Sequence, residues 1–182
     1  NVSAVRSGDD LILTVVGTAD TLTIDQYFSQ YTRNGYSAGG VDAQKVEVIE
    51  FADGTTWSIG DIKEKVRYIN GTEGDDVVYG FSDQQNIITA GDGNDTVYAG
   101  SLGDQLDGGA GADSLFGSSG GDTLVGGAGN DLLEASSGND TYVFAPGFGN
   151  DTIYDIDSTE GNIDTIRFLA SINPEDVIAT RS

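Results

Sequence analysis

A nine-residue unit recurs through the middle of this chain, and it constrains the fold more than any other feature of the sequence. In register from Gly71, each unit opens with small residues, carries an acidic residue or Asn at its sixth place, and has an apolar residue at its eighth. The sixth places are Asp76, Asn86, Asp95, Asp104, Asp113, Asp122, Asp131, Asp140 and Asp151. The eighth places are Val78, Ile88, Val97, Leu106, Leu115, Leu124, Leu133, Tyr142 and Ile153. Short repeats of this kind predict a solenoid.

Each unit predicts one tight turn followed by one short strand. Glycine at places one, two and four permits positive φ and close approach of neighbouring backbones. Places seven to nine then form a strand in which place eight points to one face and its neighbours to the other. Two units close a flattened coil of about 18 residues, and successive coils stack about 4.8 Å apart. The predicted fold class is therefore all-β, with a parallel β-roll as its main part.

Coil stacking predicts two files of carboxylates. Asp95, Asp113 and Asp131 fall on one edge of the roll, and Asp104, Asp122 and Asp140 fall on the other. Carboxylates about 5 Å apart repel by roughly 3 kcal/mol at an effective dielectric near 20, and a cation with oxygen ligands removes that repulsion. Ca²⁺ accepts about six to eight oxygens in flexible geometry and suits this donor set better than octahedral Mg²⁺. Zn²⁺ is disfavoured because the chain has no His and no Cys.

The candidate metal ligands are the sixth-place aspartates and the turn glycines whose carbonyl oxygens accompany them. They are Asp76, Gly91, Gly93, Asp95, Asp104, Gly109, Gly111, Asp113, Asp122, Gly127, Gly129, Asp131, Asp140 and Asp151. Whether Asp155, Asp157 or Asp164 closes one more site is left open. Leu102 stands where glycine is expected in the turn before Asp104, and positive φ is costly there. We therefore expect tighter calcium binding in the glycine-rich file, which contains Asp113.

These units resemble the G-G-x-G-x-D-x-U-x repeat of the RTX (repeats-in-toxin) family of haemolysin-type calcium-binding proteins. The resemblance implies a right-handed parallel β-roll that holds several Ca²⁺ ions. It also implies a module that leaves a Gram-negative cell unfolded by type I secretion and folds outside, in the presence of calcium. Because family members place a further segment after the last coil, we expect the roll over residues 71–157 and a C-terminal cap over 158–182.

The charge distribution agrees with a metal-dependent roll. The chain has 30 acidic and 8 basic residues, a net charge of −22, and residues 68–166 contain neither Lys nor Arg. Without a cation this segment should repel itself and stay unfolded. The net charge predicts no nucleic-acid partner, and no apolar run is long enough to cross a membrane.

Residues 1–67 predict a small β-rich domain. The expected elements are strands over Leu11–Val16 and Thr21–Ile24, a hairpin of Lys45–Phe51 with Thr55–Ser58, and a helix over Ile59–Val66. Asp53 and Gly54 favour a primed two-residue turn, Ser58 and Asp61 can cap the helix, and the polar stretch 29–44 predicts a long loop. Over about residues 8–62, the chain resembles the haemolysin-type calcium-binding protein related domain found beside RTX repeats, through the segments Asp9–Val15, Asp20–Ile24 and Ile49–Trp57. Phe51 and Trp57 could bind a ligand or form the hairpin core, and the core role is favoured.

The two ends of the chain resemble each other. Asp176–Ser182 aligns with Asn1–Ser7 with four identities in seven at an offset of 175. The match is either chance or the trace of a tandem array with a period near 175 residues, as in a large adhesin. Asn173 and Pro174 also predict a turn before a final strand.

The residue types argue against catalysis in this segment. Without His or Cys, the common nucleophile–base pairs cannot form, and metal ligation explains the spacing of the aspartates. We therefore expect a non-catalytic module of a large secreted or surface protein, folding on calcium and contacting neighbouring modules and the type I secretion machinery. The alternatives are the secretion and folding domain of an exoenzyme or toxin, or a polysaccharide-binding module. Tyr79, Tyr98 and Phe116 at place nine could form a surface for glycans, although cross-strand stabilisation is favoured.

Overall fold

A computed structural model describes residues 1–7, 10–24 and 46–180, and the chain divides into two compact units, 1–68 and 69–182. The loop predicted over 29–44 lies outside the described residues. Each unit has its own buried core and its own sheets.

The first unit begins with a three-stranded antiparallel sheet in the order β1-β2-β3. The strands are β1 (Val2–Ser7), β2 (Asp10–Val15) and β3 (Thr21–Ile24). Alternation along β2 buries Leu11 and Leu13 on one face. Strands β2 and β3 agree with the sequence prediction to within one residue. Strand β1, which pairs Val5 with Ile12, was not predicted.

A hairpin and a short helix complete the first unit. Strands β4 (Val48–Glu50) and β5 (Thr56–Ser58) pair antiparallel, as predicted. The predicted turn type is wrong, because a primed two-residue turn needs positive φ at its first central residue, and Asp53 does not have it, whereas Gly54 does (φ 84°). Gly54 N–H donates to the Phe51 carbonyl at 2.9 Å and Phe51 N–H to the Thr55 carbonyl at 2.8 Å, which closes a three-residue loop. Asp53 Oδ1 accepts the Thr55 N–H at 2.9 Å and holds this shape.

Helix α1 (Ile59–Lys65) begins at the predicted cap. Ser58 Oγ accepts the Asp61 N–H, and the Asp61 carboxylate accepts the Ser58 N–H. The helix buries Ile62. At the hairpin, the Phe51 and Trp57 rings meet edge to face with centroids 4.8 Å apart and are half-buried, as expected of hairpin core.

The second unit is a parallel β-solenoid of about five coils over residues 68–153, with two sheets. The six-stranded sheet contains β6 (Tyr68–Asn70), β8 (Ile87–Asp92), β10 (Gln105–Ala110), β12 (Thr123–Ala128), β14 (Thr141–Phe144) and β16 (Thr165–Phe168). The five-stranded sheet contains β7 (Val77–Tyr79), β9 (Thr96–Gly100), β11 (Ser114–Ser118), β13 (Leu132–Glu134) and β15 (Thr152–Ile153).

The register aligns equivalent places of successive coils. Leu106 lies beside Ile88 and Leu124, and Leu115 lies beside Val97 and Leu133. All place-eight side chains from Val78 to Tyr142 are buried, which confirms that place eight faces the core of the roll. Several strands run longer than the predicted three residues, since they continue into the first places of the next unit.

The roll continues past its last regular unit. Strand β16 pairs parallel with β14, with Thr165 beside Thr141, and so extends the six-stranded sheet beyond Asp157. A single 3₁₀ turn follows at Pro174–Asp176. The predicted final strand is wrong, because residues 177–180 form no ladder with any described strand and lie exposed.

Candidate metal sites

The sixth-place side chains form two continuous ladders. In each, the backbone N–H of one sixth-place residue donates to the Oδ1 of the sixth-place residue of the next coil, over 2.6–3.0 Å. The first file is Asp76, Asp95, Asp113, Asp131 and Asp151, and it leads into the five-stranded sheet. The second file is Asn86, Asp104, Asp122, Asp140 and Asp164, and it leads into the six-stranded sheet. The structure therefore places the aspartates in the two files predicted from the nine-residue period.

The second oxygen of most of these carboxylates is buried and unpaired. The Oδ2 atoms with no hydrogen-bond partner belong to Asp95, Asp104, Asp113, Asp122, Asp131, Asp140 and Asp151. Buried polar atoms in proteins are nearly always hydrogen-bonded, and a carboxylate oxygen without a partner is especially unfavourable. Two regular rows of such atoms fit a ligand that supplies positive charge to oxygen, which a hard divalent cation does.

Burial also shifts the protonation of these groups. Removal from water raises the pKa of Asp113 to about 6, against a smaller lowering by the Asp95 N–H and further raising by the neighbouring carboxylates. Removal from water likewise raises the pKa of Asp122 to about 7, opposed by the Asp104 N–H. Without a nearby positive charge, burial in the folded roll therefore disfavours the ionised form of these two carboxylates.

The turn glycines of the first file have the conformation that the sequence predicted. Positive φ is found at Gly91, Gly93, Gly109, Gly111, Gly127 and Gly129. A Cβ at Gly109 would overlap the Gly91 carbonyl oxygen, and a Cβ at Gly111 would overlap that of Gly93. The glycine carbonyl oxygens therefore lie against the next turn along the same edge of the roll, close to the carboxylate file.

In the turn that ends at Asn86, a side-chain amide donates hydrogen bonds to the oxygens of the turn. Asn86 Nδ2 donates to the carbonyl oxygens of Phe81 and Gln84, at 2.9 and 3.2 Å, and to Asp104 Oδ1 at 2.9 Å. One amide group thus satisfies two turn carbonyls and the neighbouring carboxylate. An Asp at this place has no side-chain donor for these oxygens, and a cation can take the place of the amide.

Turns in the second file are built differently. Among the described residues, the non-glycine residues with positive φ are Ser118 (83°) and Ser136 (70°), both at place two. Leu102 does not have positive φ and is 44% exposed, so the turn before Asp104 takes another path. The consensus conformation is therefore retained at Ser118 and Ser136 and lost around Leu102.

The ladders differ at their ends from the interior. Asp76 Oδ2 already accepts the Thr72 N–H at 2.6 Å and the Thr72 hydroxyl at 2.8 Å, so this predicted site residue is satisfied by its own turn. At the other end Asp164 continues the second file, although it lies 24 residues beyond Asp140 instead of 18. The nine-residue period alone does not predict Asp164. The signal in the sequence is an irregular copy of the unit at residues 161–166, which contains this aspartate.

Buried place-eight residues, glycine turns and two carboxylate ladders together are the features of a calcium-binding β-roll. Residues 10–61 match the family model of the haemolysin-type calcium binding protein related domain. Four copies of the RTX calcium-binding nonapeptide repeat model match residues 68–84, 82–115, 107–142 and 116–153. The chain thus carries a haemolysin-type calcium-binding related domain followed by RTX calcium-binding repeats. No curated protein matches the sequence at a significant level. Within the described ranges, no helix has the length and apolarity to cross a bilayer.

Proposed function

We propose that Ca²⁺ binds between successive coils on both edges of the roll, and that this binding folds the second unit. The observation that carries the proposal is the row of buried Oδ2 atoms without partners in both files. The proposed ligands are the sixth-place aspartates Asp76, Asp95, Asp104, Asp113, Asp122, Asp131, Asp140 and Asp151, with the carbonyl oxygens of Gly91, Gly93, Gly109, Gly111, Gly127 and Gly129. Among these, Asp76 is the weakest candidate because Thr72 already satisfies its Oδ2.

Calcium would supply the positive charge that the protein lacks along these edges. Residues 68–166 contain neither Lys nor Arg, so no side chain of the repeat region can neutralise the ladders. Each regular strand contributes one large inward residue at place eight, followed in some strands by a second buried residue such as Ala90, Ala99 or Phe144, which gives a thin core. Burial of that core would not offset repulsion between buried carboxylates, and folding is therefore coupled to the metal.

The proposed setting is a secreted or surface bacterial protein in which this segment is non-catalytic. The support is the acidic, cysteine-free composition and the match to RTX calcium-binding repeats, which suit calcium-coupled folding outside the cell after type I secretion. We propose the module boundaries 1–67, 71–157 and 158–182, with β16 joining the cap to the last coil.

We propose that the parent protein is an adhesin-like tandem array of such modules. The support is the likeness of Asp176–Ser182 to Asn1–Ser7. The N-terminal copy of this segment forms β1, paired with β2, whereas residues 177–180 are exposed. In an array they would form β1 of the following module. Sequencing the parent gene tests this, because a second Asp-Gly hairpin should lie about 175 residues after Asp53.

Two other roles remain as alternatives. In one, the segment is the secretion and folding domain of an exoenzyme or toxin, whose catalytic part is elsewhere in the chain. In the other, it binds polysaccharide. The stacked rings of Tyr79, Tyr98 and Phe116, with centroids 5.2 and 5.0 Å apart, favour this second candidate as a sugar-binding face. A glycan array probed with the calcium-loaded protein, and with Tyr98→Ser as control, would test it.

Circular dichroism during a calcium titration is the decisive experiment for the main proposal. We expect β-structure and protease resistance of residues 69–168 to appear with Ca²⁺, and magnesium at the same concentration to give much less. A roll that is equally ordered and equally protease-resistant in excess chelator would refute the proposal.

A further inference from the structure

The C-terminal end of the second file brings three carboxylates together. Asp140, Asp155 and Asp164 each place one carboxylate oxygen so that all three lie within 4.8 Å of one another. Asp140 comes from the last regular unit, Asp164 from the degenerate unit, and Asp155 from the residues inserted between them. Asp155 and Asp164 lie beyond the residues that match the repeat model, which end at 153.

One member of this cluster is buried without a partner. The Asp140 side chain is 1% exposed, and its Oδ2 has no hydrogen bond. Its backbone N–H donates to Asp164 Oδ1 at 3.0 Å, which fixes the two residues side by side. Within the described part of the chain, no basic side chain is paired with these three carboxylates. The group therefore combines three negative charges with a buried oxygen that lacks a donor, and only a cation satisfies both.

The remaining contacts hold the cluster in shape without neutralising it. Tyr142 donates its hydroxyl to Asp155 Oδ2 at 3.0 Å, and the Asp157 N–H donates to Asp155 Oδ1 at 3.1 Å. Tyr142 stands at a place-eight position that is aliphatic in every other unit, and its buried ring carries the hydroxyl from the core to Asp155. Each Asp155 oxygen keeps a lone pair for a metal.

Asp157 supports the cluster and is not one of its ligands. Its oxygens accept the N–H groups of Thr159 at 2.7 Å and Gly138 at 3.3 Å, and the Asn162 amide at 2.6 Å. The same amide group approaches both oxygens of Asp164 at 3.4 and 3.5 Å. Asp157 and Asn162 thus position the Asp164 carboxylate opposite Asp140.

We propose that Asp140, Asp155 and Asp164 bind a separate divalent cation, Ca²⁺ by its preference for oxygen ligands, which fastens the last coil to the roll. This site differs from the repeat sites because Asp155 is supplied by an insertion and not by a nonapeptide turn. The ion would close the 24-residue coil and hold β16 against β14, so that the open end of the sheet is ordered only when the metal is present. The inference rests on the proposed function, since both assume that calcium reaches these carboxylates.

The test compares Asp155→Asn with Glu160→Gln in the whole chain. The amide introduced by Asp155→Asn keeps an oxygen for the Tyr142 hydroxyl but removes one of three charges, whereas Glu160 is an exposed residue of the same insertion. Hydrogen–deuterium exchange is followed across a Ca²⁺ titration in two peptides, one covering β16 and one covering β10. We expect Asp155→Asn to raise the calcium concentration for half-protection of β16 on the order of tenfold, to leave β10 unchanged, and to reduce the number of bound ions by one. Glu160→Gln should match the wild type.

Hydrogen–deuterium exchange without calcium distinguishes a metal-binding role of Asp155 from a purely hydrogen-bonding role. In chelator, Asp155→Asn relieves repulsion, so β16 should exchange no faster than in the wild type. Equal loss of protection with and without calcium, or an unchanged midpoint for β16, would overturn the inference. If β10 itself gained no protection from calcium in any of the three proteins, the proposed function would fail instead.

Discussion

The two edges of the roll carry the same carboxylate ladder on different turns, and the difference shows which glycines the turn requires. In the first file, glycine occupies places two and four, as at Gly127 and Gly129. In the second file, place four is still glycine at Gly138, but place two is Ser136, with φ 70°. A Cβ at Gly127 would overlap the Gly109 carbonyl oxygen, whereas Ser136 accommodates its own Cβ. The first-file turn at Gly127 therefore lies closer to the preceding turn than the second-file turn at Ser136 does, and we expect the first file to enclose an ion more tightly.

Place four should be the least tolerant position in the turns of the first file. Gly111→Ala would add a Cβ that overlaps the Gly93 carbonyl oxygen at a φ of 136°. We expect a loss of unfolding free energy on the order of 3 kcal/mol or more in calcium. Thermal denaturation would measure it, and Gly147→Ala is the matched control because Gly147 also has positive φ but has open space around it. Equal effects of the two substitutions would show that close packing between coils is unimportant.

Removal of one carboxylate from each file should distinguish the affinities of the two edges. Asp113→Asn should weaken the tighter phase of a calorimetric calcium titration, and Asp122→Asn should affect only the weaker phase. Each should weaken its adjacent sites on the order of tenfold or more, because one ligand charge is lost. If both variants removed the same phase, the predicted inequality of the files would be wrong.

Acid should act in opposite directions on the calcium-free and calcium-loaded roll. The pKa values of Asp113 and Asp122 are raised in the folded chain to about 6 and about 7, from about 3.9 when unfolded. Their protonated forms therefore stabilise the calcium-free fold below about pH 4, and this contribution is lost as pH rises through 6 to 7. We expect more β-structure in chelator at pH 5 than at pH 8, and weaker calcium binding at pH 5. Circular dichroism at both values, with and without calcium, checks both signs.

The Asn86 turn offers a way to add an ion. Asn86→Asp removes the amide that satisfies Phe81, Gln84 and Asp104, and places an oxygen opposite those oxygens. We expect the variant to bind one more Ca²⁺ per molecule and to be less stable than the wild type in chelator. Native mass spectrometry at a series of calcium concentrations counts the ions. An unchanged count would mean that the amide is not standing in for a metal.

The smallest expected effect is a gain. Ser136→Gly removes a non-glycine residue from the left-handed region, which stabilises the fold by about 1 kcal/mol in the absence of other changes. Ser137→Gly is the control, because Ser137 is a neighbouring residue without positive φ. Urea denaturation in calcium compares the two. Greater stability with Ser137→Gly would contradict the proposed strain.

The sequence predicted the features that depend on a strict period. Asp95, Asp113 and Asp131 were assigned to one file because a nine-residue unit makes an 18-residue coil, and the helix cap at Ser58 has its own local signature. Features set by tertiary contacts were missed. Strand β1 depends on its pairing with β2, and the loop at Asp53 depends on a side-chain contact to Thr55. Asp164 joins the second file only through a longer coil, whose closure no local pattern shows.

The ladders also have a direction. From Asp76 to Asp140, the backbone N–H of each sixth-place residue donates to a carboxylate oxygen of the following coil. A deletion from the N-terminal side of the roll therefore exposes carboxylate oxygens, which water can solvate. A deletion from the C-terminal side exposes backbone N–H groups that have lost their carboxylate acceptors. The two ends of the solenoid therefore present different groups. A folded C-terminal coil offers carboxylate acceptors to the coil that precedes it, and so can serve as its template for folding.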